Sequence, residues 1–337
     1  MRVSVEIRGD GVAARCCAHL FAKSRIPVVW QPCERPRLPA ILLSEPAQAL
    51  ISDVFGRKDL FAGLPAIRKR IVCWGRGASP VALDHSAVVV SEEVLLQRLQ
   101  AAMPAKAPVR DRPAGWTIHA SRPLPDSASE HRFGSRMATA TRVELKPTTE
   151  PPACWIESVE DGWLFLIEDA PRAGWLLSVG SNSEKLLGKS RLIGEQAAAC
   201  GPAGAPFDAS PRIVSPLGEP GWLACGTAAM AFDPICGDGT AHAVREAILA
   251  TAAIGAVARG EDAGQLVAHY QSRLLAGFRR HLAQCLEYYA SGNAGPWWEA
   301  EAQAVSRGLD WCDRQSGRHA KFRYRLQGFD LFAIPEP

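Results

Sequence analysis

Two glycine turns hold the residues of this 337-residue chain whose types and spacing could do chemistry. One lies in Gly221–Ala247, GWLACGTAAMAFDPICGDGTAHAVREA. An apolar strand, WLAC, runs into Gly226, and a run of mostly small residues leads to Pro234. The chain then turns on Gly237 and Gly239 into an apolar-periodic helix. A strand, a glycine turn and a helix start together present backbone N–H groups at the positive end of a helix dipole, a place for an anion or an electron-rich ring edge. The other turn is near the start of the chain. Val3, Val5 and Ile7 alternate as a strand, and Gly9, Gly11 and Ala14 give G-x-G-x-x-A before an Ala-rich helix. There the first glycine permits a tight turn, and the second lets a pyrophosphate approach the backbone. The small third residue lets helix and strand pack closely. A βα turn that binds nothing can show the same spacing. Its occurrence together with the Gly226 segment favours a dinucleotide fold.

The Gly226 segment resembles the second flavin motif of the para-hydroxybenzoate hydroxylase and flavin-dependent halogenase superfamily of FAD-dependent monooxygenases. That motif reads roughly G-D-A-A, then D-P, then a Gly-rich turn into a helix. Gly226, Ala228, Ala229, Asp233, Pro234, Gly237 and Gly239 match it, and Thr227 stands where the family has aspartate. Tyr270, Phe278, Tyr288, Tyr289 and Pro296-Trp297-Trp298 resemble the helical tail of halogenase-like flavoproteins, where such residues pack the core. Trp163, Phe165 and Ile167 resemble the halogenase W-x-W-x-I-P motif, but Phe165 and Glu168 break it, which argues against halogenation.

The resemblance implies an α/β protein: a Rossmann-like FAD-binding domain split by an antiparallel β-sheet substrate domain, plus a helical C-terminal region. The corresponding expectation is FAD-binding parts at 1–102 and 192–259, a substrate sheet at 107–191 and a helical region at 260–337. The local pattern agrees. Strands are expected at Pro27–Trp30, Ile71–Trp74, Ser86–Val90 and Trp116–His119. Further strands at Met137–Leu145, Cys154–Val159, Trp163–Glu168 and Gly174–Val179 are joined by turns, Glu160-Asp161-Gly162 being a strong hairpin signal. Helices are expected at Glu45–Phe55, at Glu92–Ala102 behind the N-cap Ser91, and at Ala241–Arg259, Glu261–Ser291 and Trp297–Gln315, before a strand-like tail, Lys321–Ile334.

Composition narrows the function classes. Hydrophobic content of 47% with 22% charged residues is ordinary for a globular protein, and a net charge of +3 gives no case for nucleic acid. The run Arg68-Lys69-Arg70 reads as a solvated helix end. No membrane span is expected, since no run approaches ~18 consecutive apolar residues. The ten cysteines are scattered and none forms C-x-x-C, so they read as buried thiols in a reducing cytoplasm. No Cys/His pair shows ligand spacing, so no metal is expected.

Cofactor contacts are carried onto Gly9, Gly11, Ala14, Gln31, Gly226, Thr227, Pro234, Gly237 and Gly239. Gln31 stands near the position of the family's ribose-binding acid, and Glu34 could substitute if its loop folds back. Ser91-Glu92 stands where relatives often have an arginine, and Ala120-Ser121-Arg122 where they have Asp-x-Gly. Trp163, Phe165, Trp175, Cys236 and Asp238 are candidate substrate-pocket residues, although for any one of the aromatics half-buried packing in the sheet, and for Asp238 a helix cap, is the simpler reading. No catalytic side chain is assigned. The implied activity is hydroxylation of an electron-rich aromatic, free or as tryptophan or tyrosine within a peptide, through a flavin hydroperoxide. Electrons would come from reduced nicotinamide or a separate flavin reductase. A reductase or dehydrogenase of the same fold fits as well. The contrary reading is a chain that keeps the fold, has lost FAD and acts as a non-catalytic binding partner.

Overall fold

The computed structural model describes residues 3–103, 115–316 and 324–334. The expected domain boundary near Ala107 and the first residues of the tail lie outside them.

The chain begins as a β–α–β unit. Val5–Arg8 pairs in parallel with Val28–Gln31 on one side and with Trp116–His119 on the other. Trp222–Ala224 adds to Trp116–His119, also in parallel, and the short Gly218–Glu219 closes the edge antiparallel. Val5 and Ile7 are fully buried, as expected for a strand covered on both faces. Helix Val12–Lys23 packs against the long helix Gly239–Ala258. Both glycine turns therefore leave carboxyl ends of parallel strands, two positions apart, where ligands bind in open α/β sheets.

A second, larger sheet roofs this layer. Five of its strands are Ala66–Cys73, Ala153–Val159, Gly162–Ala170, Ala173–Val179 and Met137–Leu145, paired in that order. Ala66–Cys73 joins Ala153–Val159 in parallel; the other pairs are antiparallel. Val81–Val90 and Ile41–Ser44 extend one edge, and Ala197–Ala203 and Phe207–Asp208 add at the other. Sheet membership thus crosses the expected division, because strands from 41–90 and 197–208 belong to the roof. The reason is length. The eight and ten residues of Ala66–Cys73 and Val81–Val90 match the roof strands, whereas the inner parallel strands have four or fewer. Arg68-Lys69-Arg70 is accordingly mid-strand, which corrects its reading as a helix end.

Strand alternation gives the roof two faces. Leu164, Leu166 and Leu176 point away from the parallel sheet into a satellite core with Trp155, Leu186 and Ile193. Ile156, Trp163, Phe165 and Ile167 point inward, joining the main core.

The expected helices form: Glu45–Phe55, Glu92–Ala101, Gly239–Ala258, Ala263–Ser291 and Pro296–Ser316. Ser91 caps the second, its hydroxyl accepting from Val94 N at 3.2 Å. The tail forms a hairpin, Tyr324–Gln327 with Asp330–Ala333. By length and composition alone Gly239–Ala258 could cross a membrane; here it is a largely buried core helix. All ten cysteines are free thiols; Cys33 and Cys200 are exposed and Cys73 and Cys236 only partly covered, which corrects their reading as uniformly buried.

Candidate functional site

A cavity of about 460 Å³ lies between the two sheets, within the size range of small-molecule and cofactor pockets. Its floor is the two glycine turns. Gly11, Val12 and Ala13 line it from one side, and Gly226, Thr227, Pro234, Gly237 and Gly239 from the other. Gly11 is the N-cap of helix Val12–Lys23, and no side chain caps that helix, so its first N–H groups face the cavity without a side-chain acceptor. Gly226 adopts φ +61°, and a Cβ there would meet Ala13 Cβ at 2.8 Å. The two turns thus touch, and only glycine meets both the left-handed backbone and the contact.

Arginines reach the floor from an unexpected source, each already paired with a carboxylate. The loop after Gln31 folds back and brings arginines. Arg35 lies against Gly11, its Nη2 3.2 Å from where a Cβ would be. Its guanidinium forms a two-point ion pair with Glu92 at the start of the helix. Arg37 pairs in the same two-point way with Asp10. Burial raises Asp10 but the arginines prevail and hold it below its ordinary range. Glu34 is exposed and does not line the cavity. Arg35 thus brings a guanidinium to Glu92, at the start of the helix where relatives often have an arginine.

Glu246, from the following helix, reaches the floor and accepts the Gly226 N–H at 2.7 Å. Burial pushes its carboxyl up to about 8, against the smaller lowering effect of that hydrogen bond. At neutral pH it is mainly a neutral acid, so it does not repel an anion at the neighbouring helix N-terminus.

Aromatic and aliphatic side chains form the roof. Trp163, Phe165, Ile167, Trp175, Leu177 and Ile156 line it, as the register dictates: Phe165 opposes Leu177 and Ile156, and Ile167 opposes Trp175. One cation interrupts this surface. Arg70 lines the cavity with its Nε buried and without a hydrogen-bond partner. Its Nη2 lies 3.1 Å from His85 Nε2, and among the described residues no carboxylate pairs with it.

Behind the far wall, Asp233 links floor to roof. Its carboxylate accepts from the Tyr289 hydroxyl at 2.9 Å and lies 3.3 Å from Arg136 Nη1. The Tyr289 hydroxyl in turn accepts the Trp163 indole N–H at 3.1 Å. Arg136, fully buried, stacks 4.2 Å over the Tyr289 ring and lies 3.2 Å from Glu301. Burial raises the Asp233 carboxyl, opposed by Arg136.

The structure sorts the sequence-derived residues. Gly11, Gly226, Thr227, Pro234, Gly237 and Gly239 line the cavity, as do Trp163, Phe165 and Trp175. Gly9 and Ala14 lie behind it. A Cβ on Gly9 would meet the Ala120 carbonyl carbon at 3.0 Å, so Gly9 serves the close approach of the neighbouring strand. Ala14 is fully buried in the core. Gln31 is exposed at the end of its strand, outside the cavity lining. Cys236 and Asp238 do not line the cavity either. Asp238 pairs with Arg245 at 2.7 Å and makes no side-chain cap. The Cys236 sulfur turns away from the cavity to lie 3.9 Å from Cys285 Sγ. His242 stacks on Phe232 at 4.0 Å and is a packed histidine. The expectation that no Cys/His pair has ligand spacing is also corrected: His281 and Cys285 are one helical turn apart and meet Cys236 in a three-donor cluster.

No protein-family model and no curated protein matches the chain. Solved structures do. The myxobacterial chondrochloren halogenase CndH, a variant of FAD-dependent halogenases, superposes with a TM-score of 0.73 at 16% identity, over 93% of this chain and 90% of that one. The peptidyl tryptophan dihydroxylase QhpG of tryptophylquinone cofactor biogenesis gives 0.69 at 17% identity, over 89% and 79%. The tetracycline destructase Tet(51) gives 0.58 at 10% identity, over 95% and 99%. The chain thus shares its fold with these structures, among them an FAD-dependent halogenase.

Proposed function

We propose that this chain is a flavin-dependent monooxygenase that binds FAD on the cavity floor and oxidises an electron-rich aromatic bearing an anionic group. One observation carries the reading: a single cavity joins an uncapped helix N-terminus and two glycine turns below to an aromatic roof with one cation above. The floor suits the cofactor. The helix N-terminus at Gly11 and the Arg35 guanidinium fit a pyrophosphate. Gly226 and Ala13 keep that surface free of side chains, and the neutral Glu246 adds no opposing charge at neutral pH.

Bound FAD would supply activation of O₂, chemistry no side chain here provides. The protein supplies position and dryness. Trp163, Phe165 and Trp175 stack on and enclose an aromatic ring, while Arg70 fixes the ring's orientation through a carboxylate or phenolate. The first N–H groups of helix Gly239–Ala258, which no side chain caps, would stabilise negative charge on a reduced flavin. The broken tryptophan motif at Phe165 and Glu168 favours hydroxylation over halogenation. We place the enzyme in a reducing cytoplasm on its ten free thiols. Electrons arrive from reduced nicotinamide or a separate flavin reductase, and the substrate is a free aromatic or a tryptophan- or tyrosine-bearing peptide.

The contrary reading, a cofactor-free binding protein, has one observation in its favour: Glu246 already occupies the Gly226 N–H. An absorbance spectrum after incubation with FAD and desalting separates the two. Retained flavin bands followed by reductant- and O₂-dependent oxidation of aromatic acids are expected. A folded protein that takes up no FAD overturns the flavoenzyme reading.

A further inference from the structure

Behind the flavin-facing turn, three side chains that the proposed reaction does not use converge. Cys236 ends the 3-10 turn Pro234–Cys236, and Gly237 follows it in the left-handed region at φ +64°. That geometry turns the chain sharply and sends the Cys236 sulfur away from the cavity. Helix Ala263–Ser291 presents His281 and Cys285 on one face, four residues apart. Cys236 Sγ lies 3.9 Å from Cys285 Sγ, and Cys285 Sγ lies 3.3 Å from His281 Nε2. All three donor atoms fall within 4.8 Å of one another.

The two shorter separations, 3.9 and 3.3 Å, are close to those of a coordination polyhedron. With Zn–S of about 2.3 Å and Zn–N of about 2.0 Å at tetrahedral angles, two sulfurs stand roughly 3.8 Å apart and sulfur and nitrogen roughly 3.6 Å apart. We propose that Cys236, His281 and Cys285 form a site for a thiophilic d¹⁰ cation of the zinc class, with a fourth position open on the Cys236 side. Two thiolates and an imidazole are the donor set such ions prefer over carboxylate-binding ions. Cys285 and His281 are buried while Cys236 is only partly so, which gives the ion an entry path.

Two further features bear on the site. The Asp233 backbone N–H donates to His281 Nε2 at 2.8 Å, which fixes the tautomer with its lone pair on the nitrogen nearest the sulfurs. The ion takes over that lone pair, and one neutral hydrogen bond is small beside two metal–thiolate bonds. Because Nε2 accepts the Asp233 N–H, it carries no proton of its own, so none must leave His281. Two S–H bonds break, two metal–sulfur bonds form, and two protons pass to solvent. The bound ion ties the turn Pro234–Cys236 to the helix and thereby braces the wall formed by Pro234, Ile235 and Gly237. The site does not depend on what occupies the cavity.

The test uses reduced, chelator-treated full-length protein titrated anaerobically with Co²⁺ and, separately, Zn²⁺. One Co²⁺ per chain with thiolate-to-cobalt charge-transfer bands, displaced by Zn²⁺ with release of two protons per Zn²⁺ bound to metal-free protein, is expected. Cys236→Ser, on the partly exposed turn, weakens uptake at least tenfold while thermal unfolding confirms that it is folded. Cys33→Ser/Cys200→Ser, which removes the two exposed thiols, leaves uptake unchanged. Absence of the bands in folded, reduced wild-type protein overturns the proposal, as does their survival in Cys236→Ser. A Cys236–Cys285 disulfide that forms in air, in a protein that takes up no metal once reduced, overturns it in favour of a redox pair.

Discussion

The Tyr289 hydroxyl donates to Asp233 Oδ2 at 2.9 Å while accepting the Trp163 indole N–H at 3.1 Å. One buried phenol thus holds the cavity's aromatic roof against the turn that forms its floor. Helix Ala263–Ser291, which carries Tyr289, is therefore part of the site's frame although Tyr289 itself does not line the cavity. Tyr289→Phe keeps the ring under Arg136 but strands the Trp163 N–H and removes one partner of Asp233. A stability loss of about 2–3 kcal/mol is expected in urea unfolding. Trp163→Phe in the same background adds less than it does alone, because the bond is already gone. Additive losses in that double-mutant cycle would show that the two residues do not communicate.

Gly226 and Gly237 share nearly the same backbone, φ +61° and +64°, but not the same surroundings. A Cβ at Gly226 would stand 2.8 Å from Ala13 Cβ, whereas at Gly237 nothing lies within 4 Å. Gly237→Ala therefore suffers only the left-handed backbone cost, about 1 kcal/mol. Gly226→Ala adds displacement of the first turn of helix Val12–Lys23, with a total loss on the order of 2–4 kcal/mol. It should also abolish FAD retention after desalting, with Gly237→Ala retaining most of it. Equal effects of the two substitutions would refute a floor built on contact between the turns.

Much of this frame was legible in the sequence because it rests on local rules. Strand alternation, the Ser91 cap, the hairpin at Glu160-Asp161-Gly162 and the glycine turns are short-range signals, and the structure reproduces them. What was not legible depends on distant pairing. Arg70 sits in a run of three cations that reads as solvated, and only its register opposite Cys154 turns it toward the cavity. Arg35 is 24 residues from Gly11 in sequence, and nothing local announces that its loop folds back. Glu246 is one polar residue on an apolar helix, and its role follows only from the approach of Gly226. His281 and Cys285 do have a local signal, the i, i+4 spacing, but Cys236 completes the cluster from 45 residues earlier.

Arg70 gives the substrate prediction its charge. A partly buried guanidinium whose Nε lacks an acceptor has unspent donor capacity facing an aromatic surface. Aromatic carboxylates should bind more tightly than their neutral analogues, indole-3-carboxylate over indole for example, read by quenching of tryptophan fluorescence in the FAD-loaded protein. A charge-assisted pair corresponds to about 10- to 100-fold in affinity. Arg70→Met should erase that preference and leave FAD retention intact. A preference that persists in the variant would place the anion elsewhere.

Glu246 sets the pH dependence of the floor. Its carboxyl is raised from 4.5 to about 8 by burial, so between those values the folded protein holds a proton that the unfolded chain has released. Stability is therefore undiminished below pH 4.5, falls as pH rises towards 8, and levels off above it. The contribution at stake is on the order of a few kcal/mol. The same ionisation places a negative charge beside the helix N-terminus that favours an anion, so FAD should dissociate more readily above about pH 8. Glu246→Gln keeps an oxygen to accept the Gly226 N–H but cannot ionise. It should remove the fall in stability between pH 5 and 8 and flatten FAD dissociation across pH 7–9, measured by thermal unfolding and by flavin release on desalting. A wild-type profile that is already flat across that range would mean that Glu246 is ionised throughout, and the floor would then be less suited to a pyrophosphate.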